Sequence, residues 1–251
     1  MKKINLFFLF AFLLVLNSVA QPETSISNEK EQEGWSFTAT PYVWLSGFRA
    51  ETSFRQISPE PVNADFSDIR DSVELTGSLH LEAKKGRFYI IGDVSYFNSD
   101  KDGFLDTEPT PTRLFVDQWV TELGGGFNLF NTEDSFLVDA LAGWRNTRSD
   151  NRLTIAGIEE FNRSINTNDL FLGARLQILS DLWGFLLRGD LGGFGWGSEL
   201  SWRINAIGTY NFCDWFALNF GIQALGIDYQ EDNYRHEMMT VGFTAGGSFK
   251  F

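Results

Sequence analysis

The chain lacks the groups on which several classes of protein depend. Its only cysteine is Cys213, which excludes a disulfide within one copy, and its only histidines are His80 and His236. After the first twenty residues, no apolar run reaches the roughly 20 residues that a membrane-spanning helix needs. Helical periodicity is also missing over any window of useful length. These absences exclude a disulfide-stapled domain and a protein that crosses a membrane with helices.

The first residues have the features of an export signal. The basic pair Lys2-Lys3 precedes a short apolar run over Ile4–Leu16, and small residues follow before Gln21. A basic flank, an apolar core and a small-residue cleavage point are typical of a secretory signal peptide. We therefore predict a signal peptide at 1–20, a flexible polar N-terminal segment at 21–33 and one folded domain at 34–251.

Acidic residues outnumber basic residues, with 33 aspartates and glutamates against 20 lysines and arginines. This charge argues against a nucleic acid partner, because proteins bind phosphate backbones with lysine and arginine. It would suit divalent cations at acidic surface loops. We expect no cofactor, since the glycine-rich stretch Gly192–Gly197 does not open a helix as a phosphate-binding loop does.

Apolar residues recur at every second position from Trp35 to Phe251, and this alternation predicts about ten strands of about ten residues. Tight turns are predicted at Lys84–Gly86, Asn131–Asp134, Ser180–Asp181, Cys213–Asp214 and Gly192–Ser198. Long connections are predicted across Ser46–Ile69, Asn98–Thr112, Asn146–Ser164 and Gly226–Met238.

Alternation alone does not separate a membrane barrel from a soluble one, but four features favour the membrane. Strand length matches the crossing distance, turns are short at one end and long at the other, and aromatic residues lie at strand ends. The polar face combines arginines with carboxylates. The sequence thus predicts an all-β, antiparallel up-and-down transmembrane barrel of the bacterial outer membrane, with about ten strands (8 or 12 being possible). The predicted aromatic girdles are Trp35, Phe130, Trp183, Trp215, Phe216 and Phe251 at one end, and Trp44, Tyr96, Trp144 and Trp202 at the other.

With the apolar face toward lipid, a set of charged side chains and one histidine points into the lumen. These are Glu74, His80, Glu82, Asp93, Glu122, Asp139, Arg145, Asp169, Arg175, Arg188, Asp190 and Arg203. In a narrow barrel they would pair into a structural plug, because an unpaired buried charge costs several kcal/mol. The alternative is a narrow, water-filled pore with charged walls.

The C-terminal strand ends in alternating apolar residues, with Phe243, Phe249 and Phe251 in phase. We predict that it pairs with the first strand, because closure removes the sheet edges. A terminal aromatic after such an alternation also resembles the signal that the bacterial barrel-assembly machinery recognises. Outer-membrane lipid and this machinery are therefore the expected partners.

Several stretches resemble an uncharacterised family of Gram-negative outer-membrane β-barrel proteins. They are TPYVWLSGF at Thr40–Phe48, the segment Ala64–Asp100, RGDLGGFGWGSELSW at Arg188–Trp202, and DYQEDNYRHE at Asp228–Glu237. The resemblance covers most of the chain beyond the signal peptide and implies a barrel in the outer membrane. It does not imply a reaction or a substrate.

Three classes of function follow from these features. The first is a structural or interaction protein with a plugged lumen, the second is a small porin-like channel or transporter, and the third is a surface hydrolase. A hydrolase would use His80 beside Glu82, or His236 within an acidic loop, although no nucleophile motif accompanies either histidine. We therefore expect that the chain is not an enzyme. Phe194 and Trp196 are interpreted as contacts with the lipid headgroups.

Overall fold

The computed structural model describes residues 34–54, 62–64, 73–104, 111–132, 135–155, 159–231 and 234–251. The predicted signal peptide and N-terminal segment, residues 1–33, lie outside these ranges. The strands are β1 (Ser36–Phe54), β2 (Val62–Ala64), β3 (Val73–Lys85), β4 (Phe88–Phe104), β5 (Pro111–Thr132), β6 (Phe136–Ile155), β7 (Glu159–Leu179), β8 (Trp183–Trp196), β9 (Ser198–Cys213), β10 (Phe216–Glu231) and β11 (Tyr234–Lys250). Nowhere in the described part of the chain is there a helix long and apolar enough to span a membrane.

The long strands form a closed antiparallel barrel. Each pairs with the next along the chain, β1 pairs with β3, and the ring closes where β1 pairs with β11. At this seam the amide of Phe37 donates to the carbonyl of Phe251 at 3.1 Å, and the amide of Phe251 donates back at 2.9 Å. The three-residue β2 adds to the outer part of β1. The prediction of an antiparallel barrel of about ten strands is confirmed.

The strands are longer than the alternation of apolar residues predicts. β5, β6 and β7 have 22, 20 and 21 residues, whereas β8 and β9 have 14 and 16. The long connections predicted after Ser46, Asn98, Asn146 and Gly226 are therefore wrong in part, because β1, β4, β6 and β10 continue into them. The reason is physical: outside the hydrocarbon a strand needs no apolar face, so its continuation has no hydrophobic signal in the sequence.

The two faces of the barrel wall have opposite chemistry, as predicted. Outward side chains in the crossing part are apolar and exposed, for example Leu123 at 59%, Leu172 at 64% and Phe220 at 50%. Inward positions on the same strands hold polar or charged side chains that are buried, such as Arg145 at 0%. A protein in water places its apolar side chains inside, so this inversion is the arrangement expected for a lipid-facing wall.

The lipid-facing assignment predicts a depth-dependent penalty for charge. Leu187 faces outward midway along β8, between Trp183 and Leu191, and Leu187→Arg should destabilise the barrel by about 2–4 kcal/mol because a guanidinium would enter hydrocarbon. The measurement is reversible urea unfolding of the barrel in phosphatidylcholine vesicles. Asn166→Arg, on the exposed outward face of β7 beyond the crossing, is the matched control and should cost little. Equal effects of both substitutions would contradict the assignment.

Candidate functional site

The register of the sheet brings the charged lumen residues into rows. Across β3 to β7, successive Cα partners are His80, Asp93, Glu122, Arg145 and Asp169. Side chains of such partners point to the same face and lie about 5 Å apart. Each of these residues occupies an inward position of its strand because it is in phase with the polar half of the alternation. The pattern in the sequence therefore decides the side on which they lie, and the register decides the residues that they meet.

A second row lies on β6, β7 and β8, where Asp139 pairs with Arg175 and Arg175 with Arg188. On the next strand pair, Asp190 of β8 faces Arg203 of β9. Two arginines, Arg175 and Arg188, are therefore neighbours in this row, and carboxylates lie on the adjacent positions. Opposite charges alternate around the wall closely enough for every one of these arginines to reach a carboxylate.

Glu122 is the centre of the network. Its Oε1 accepts from Nε of Arg145 at 2.6 Å, and its Oε2 accepts from Nη2 of Arg188 at 3.0 Å. Nε of Arg203 lies 3.3 Å from the same Oε1. Asp190 joins two of the same arginines, with Oδ2 2.7 Å from Nη2 of Arg188 and Oδ1 accepting from Nη2 of Arg145. Glu122 and Arg145 are 2% and 0% exposed, so these charges are neutralised by each other rather than by solvent.

Several of these contacts cross the lumen. Nη1 of Arg175 on β7 is 2.5 Å from Oε2 of Glu82 on β3, and its Nε is 2.8 Å from Oδ2 of Asp139. Nη1 of Arg203 on β9 is 3.7 Å from Oδ1 of Asp93 on β4. β3 and β4 are separated from β7 and β9 by several strands. The side chains therefore bridge walls that are not neighbours in the sheet.

Aromatic rings also pack against the guanidinium groups. The ring of Tyr89 lies 3.9 Å from the guanidinium carbon of Arg175, and the ring of Phe171 lies 5.0 Å from that of Arg145 and 5.3 Å from that of Arg188. Phe171 and Tyr89 belong to one buried cluster with Ile91 and Leu141. A guanidinium over an aromatic face is attracted to it, and the interaction is stronger when it is shielded from water. One nitrogen, Nη2 of Arg203, has no hydrogen-bond partner within the described residues.

Asp93 has a set of partners of its own. Nδ1 of His80 is 3.1 Å from its Oδ2, and the hydroxyl groups of Tyr42 and Ser95 donate to its Oδ1 at 3.0 and 3.2 Å. A histidine oriented by a carboxylate is one element of a general base. Asp93 also neutralises Arg203, however, so its contacts with His80 are equally those of a structural hub.

Asp169 has a different role from the other lumen carboxylates. Its Oδ1 accepts from the amide of Ser198 at 2.8 Å, and its Oδ2 accepts from the hydroxyl of Ser198 at 2.8 Å. No arginine contacts it among the described ion pairs. This carboxylate therefore caps the start of β9 instead of joining the network.

An apolar cluster lies on the outer side of the network and was missed by the sequence analysis. Its buried members are Trp44, Val120, Leu225, Ile227 and Met238, from β1, β5, β10 and β11. The prediction that Trp44 belongs to the outer girdle is wrong, because its side chain points inward and is 4% exposed. The signal was available: Trp44 is out of phase with its outward neighbours Val43 and Leu45, which are 43% and 46% exposed.

The side chains of Glu74 and His236 lie outside the described part of the chain. Phe243 and Phe251 are exposed on the outer surface, and Phe249 packs its ring 5.3 Å from that of Phe216. Within the described ranges, no group of three or more histidine, cysteine or acidic residues could hold a metal ion.

Comparison with known proteins supports the fold. No protein-family profile and no curated protein matches the chain. The outer membrane protease OmpT of Escherichia coli superposes with a TM-score of 0.56 at 10% identity, covering 89% of this chain and 99% of OmpT. The transport unit of the autotransporter AIDA-I of Escherichia coli has a TM-score of 0.41 at 11% identity over 96% of this chain and 97% of its own. Ail of Yersinia pestis has a TM-score of 0.36 at 10% identity over 88% of this chain and 100% of its own. The chain has the fold of a Gram-negative outer-membrane β-barrel.

Because Glu122 contacts three arginines, its removal should lower the stability of the barrel strongly. Glu122→Ala would leave the arginines at 145, 188 and 203 without their common carboxylate, and we expect a loss of about 3–5 kcal/mol in the free energy of unfolding. Urea unfolding in vesicles and heat-modifiable gel mobility measure it. Glu199→Ala, an exposed glutamate at the start of β9, is the control and should stay within about 0.5 kcal/mol of wild type. An effect of Glu122→Ala no larger than that of the control would show that the network does not stabilise the barrel.

The cross-lumen pair of Arg175 and Glu82 can be isolated by a double-mutant cycle. We expect a coupling energy of about 1–3 kcal/mol between Arg175→Met and Glu82→Gln, because the two side chains are in direct contact and mostly buried. Arg148 and Asp150, 3.3 Å apart and exposed on β6, form the control cycle, with an expected coupling below about 1 kcal/mol. Additive effects of the Arg175 and Glu82 substitutions would contradict a bridge across the lumen.

Proposed function

We propose that the chain is an exported outer-membrane protein with a structural or interaction role, in which the ion-pair network closes the lumen. The observation that carries the proposal is the set of cross-lumen contacts from β7, β8 and β9 to β3, β4 and β5. Guanidinium and carboxylate groups within 2.5–3.7 Å of each other leave no room between them for a hydrated ion. The arrangement supports a filled interior at the level of Glu122.

The burial of the charges supports the same conclusion. In a conducting pore, wall charges are hydrated and keep a large exposed surface. Here Arg145, Glu122 and Asp190 have side chains with no exposed surface, and that of Arg203 is 2% exposed. The apolar cluster around Trp44 adds a second layer on the outer side, through which ions would have to pass without compensation. Two barriers of different chemistry therefore follow each other along the barrel axis.

The outer parts of β6 and β7 supply a surface for interaction. Their outward face is polar and ordered by side-chain contacts: Nδ2 of Asn146 donates to Oδ1 of Asn166 at 2.7 Å, and Nε of Arg152 donates to Oδ1 of Asn162 at 3.2 Å. Such a sheet projects a fixed pattern of donors and acceptors away from the membrane. We propose that a polar partner binds this face, and that divalent cations bind the acidic outer connections, which lie outside the described residues.

Export and assembly belong to the same proposal. The signal peptide at 1–20 would direct the chain to the periplasm, and the terminal strand with Phe243, Phe249 and Phe251 would be recognised by the barrel-assembly machinery. The antiparallel pairing of β11 with β1 supports this, because the recognised strand is the one that closes the barrel. Replacing Phe251 with alanine should slow folding of the chain in cells without changing the lumen.

A surface hydrolase has less support than a closed barrel. OmpT is a protease, but a likeness at 10% identity concerns the fold alone. His80 is the histidine whose contacts are described, and its carboxylate partner Asp93 is engaged by Tyr42, Ser95 and Arg203. These contacts fit a hub of the network better than a base that must change its charge during a reaction.

Single-channel recording tests the closed lumen. The purified, refolded protein in a planar phosphatidylcholine bilayer should give no ohmic steps in 1 M KCl, because the network and the apolar cluster obstruct the lumen. Insertion is verified in the same preparation by heat-modifiable gel mobility of reconstituted vesicles. Regular conductance steps from the wild-type protein would contradict the proposal and assign the chain to the channels.

A variant that lacks the central side chains tests whether these side chains are what blocks the lumen. The triple variant Glu122→Ser, Arg188→Ser and Arg203→Ser removes the central side chains. If this barrel folds, it should give conductance steps in the same recording. The control combines Arg148→Ser and Asp150→Ser on the outward face of β6, which leaves the lumen unchanged. Silence of the triple variant in a barrel shown to be folded would place the main barrier in the apolar cluster.

A further inference from the structure

The hairpin of β8 and β9 has an unusual outer end. β8 stops far short of its neighbour β7, and the turn between β8 and β9 presents two large aromatic side chains, Phe194 at 63% and Trp196 at 73% exposed. Trp196 has the highest exposed fraction among the large hydrophobic residues that the structure describes. A tryptophan with most of its surface outside the protein is available to a partner that accepts an apolar ring.

The backbone of this turn is fixed in a conformation that disfavours most residues. Phe194 has φ of 53°, and the glycines on either side, Gly193 and Gly195, have φ of 88° and 76°. A positive φ in a residue with a side chain is uncommon and unfavourable, so it persists only where the surroundings impose it. The strain is therefore evidence that contacts elsewhere hold the turn in place.

Those contacts are made at the base of the turn. A Cβ on Gly197 would lie 2.3 Å from the carbonyl oxygen of Asn168 and 2.6 Å from Oδ1 of Asp169, so the backbone is in close contact with β7. A Cβ on Gly193 would lie 2.5 Å from Oγ of Ser198. The Asp169 carboxylate then holds both the amide and the hydroxyl of Ser198. A buried charged group with two hydrogen bonds thus fastens the hairpin to the barrel wall.

The length of β8 places the turn at the membrane surface. Trp183 begins the strand at the end with the short turns, and its ring packs 4.8 Å from that of Tyr210 on β9. A tilted strand crosses the hydrocarbon in about 9–11 residues, so the chain leaves it close to Phe194. The outward residues up to this point, including Leu187 and Leu191, are apolar, as is Leu200 on the returning strand. The apolar outward residues of the two strands therefore reach the turn that carries the exposed rings.

We propose that the β8–β9 turn is a rigid anchor that places Phe194 and Trp196 in the headgroup layer of the outer leaflet, with Asp169 as the positioning residue. The partner is a lipid surface, because the two rings are continuous with the lipid-facing wall, whereas the outward face of β6 and β7 at greater height is polar. Tryptophan at this depth is stabilised by its apolar ring and by its polar N–H group. The strain at Phe194 is offset by the contacts at the base of the turn, which include both hydrogen bonds of Ser198 to Asp169.

Site-specific quenching in nanodiscs tests the depth. In a Cys213→Ser background, Trp196→Cys is labelled with a bimane fluorophore and the protein is placed in phosphatidylcholine nanodiscs, which leave both faces accessible. Nitroxide attached to the lipid headgroup, or high on the acyl chain, should quench the label at least about twofold more than aqueous iodide does, as expected for an interfacial position. Asn166→Cys, on the polar outward face of β7, is the control and should be quenched by iodide. Iodide quenching of the label at position 196 equal to that of the control would overturn the proposal.

The positioning role is tested through the carboxylate. Asp169→Ala should shift quenching at position 196 from lipid nitroxide toward iodide by about twofold, because the hairpin loses both hydrogen bonds to Ser198. Asp169→Asn keeps an acceptor and a donor at the same place and should largely restore the wild-type pattern. Heat-modifiable mobility must be retained in both variants. A folded Asp169→Ala barrel with unchanged quenching would overturn the role of Asp169, and a variant that does not fold leaves the decision to Ser198→Ala, which removes only the hydroxyl.

Discussion

Burying a charge without a partner costs several kcal/mol, and the interior of this barrel contains four arginines and five carboxylates that contact one another. This constraint organises the structure. Each guanidinium must find carboxylates within reach, and Glu122 satisfies three of them at once. The residues on opposite walls can meet only at one registration of the strands, because a shift by one residue would turn every charge toward lipid. Pairing in the lumen and hydrogen bonding in the sheet therefore select the same register.

The alternation of the sequence predicted much of this. It assigned the apolar residues to lipid and the charged residues to the lumen, and the exposed Leu172 and the buried Arg145 lie on the sides expected of them. It also predicted the turns at Gly86 and Asp181 and the pairing of the last strand with the first. These features depend on local chemistry with a period of two residues, which is why one sequence is enough to find them.

Features that depend on the third dimension could not be predicted in this way. The alternation shows that Arg175 points inward, but the contact with Glu82 depends on the curvature that brings β7 opposite β3. The outer ends of β5 to β7 have no apolar face, so their strand character has no signal in the sequence. Trp44 was misplaced because tryptophan is the residue expected in a girdle, and its type was given more weight than its phase. The cap made by Asp169 was missed as well, since a carboxylate in the lumen was expected to meet an arginine.

The barrel wall differs in height around its circumference, and this difference is related to the contacts in the lumen. Opposite walls of this barrel are joined directly through the lumen by side-chain contacts such as that of Arg175 with Glu82, and these contacts do not require strands of equal length. The hairpin of β8 and β9 ends near Trp196, while β5 to β7 continue as sheet. Asp169 lies at the boundary between the long and the short strands. Its own strand, β7, continues outward, and its carboxylate holds the shorter β8–β9 hairpin through Ser198. The same row of the sheet that supplies Glu122 and Arg145 to the network supplies this cap, so the ion pairs across the lumen and the low side of the rim follow from one register.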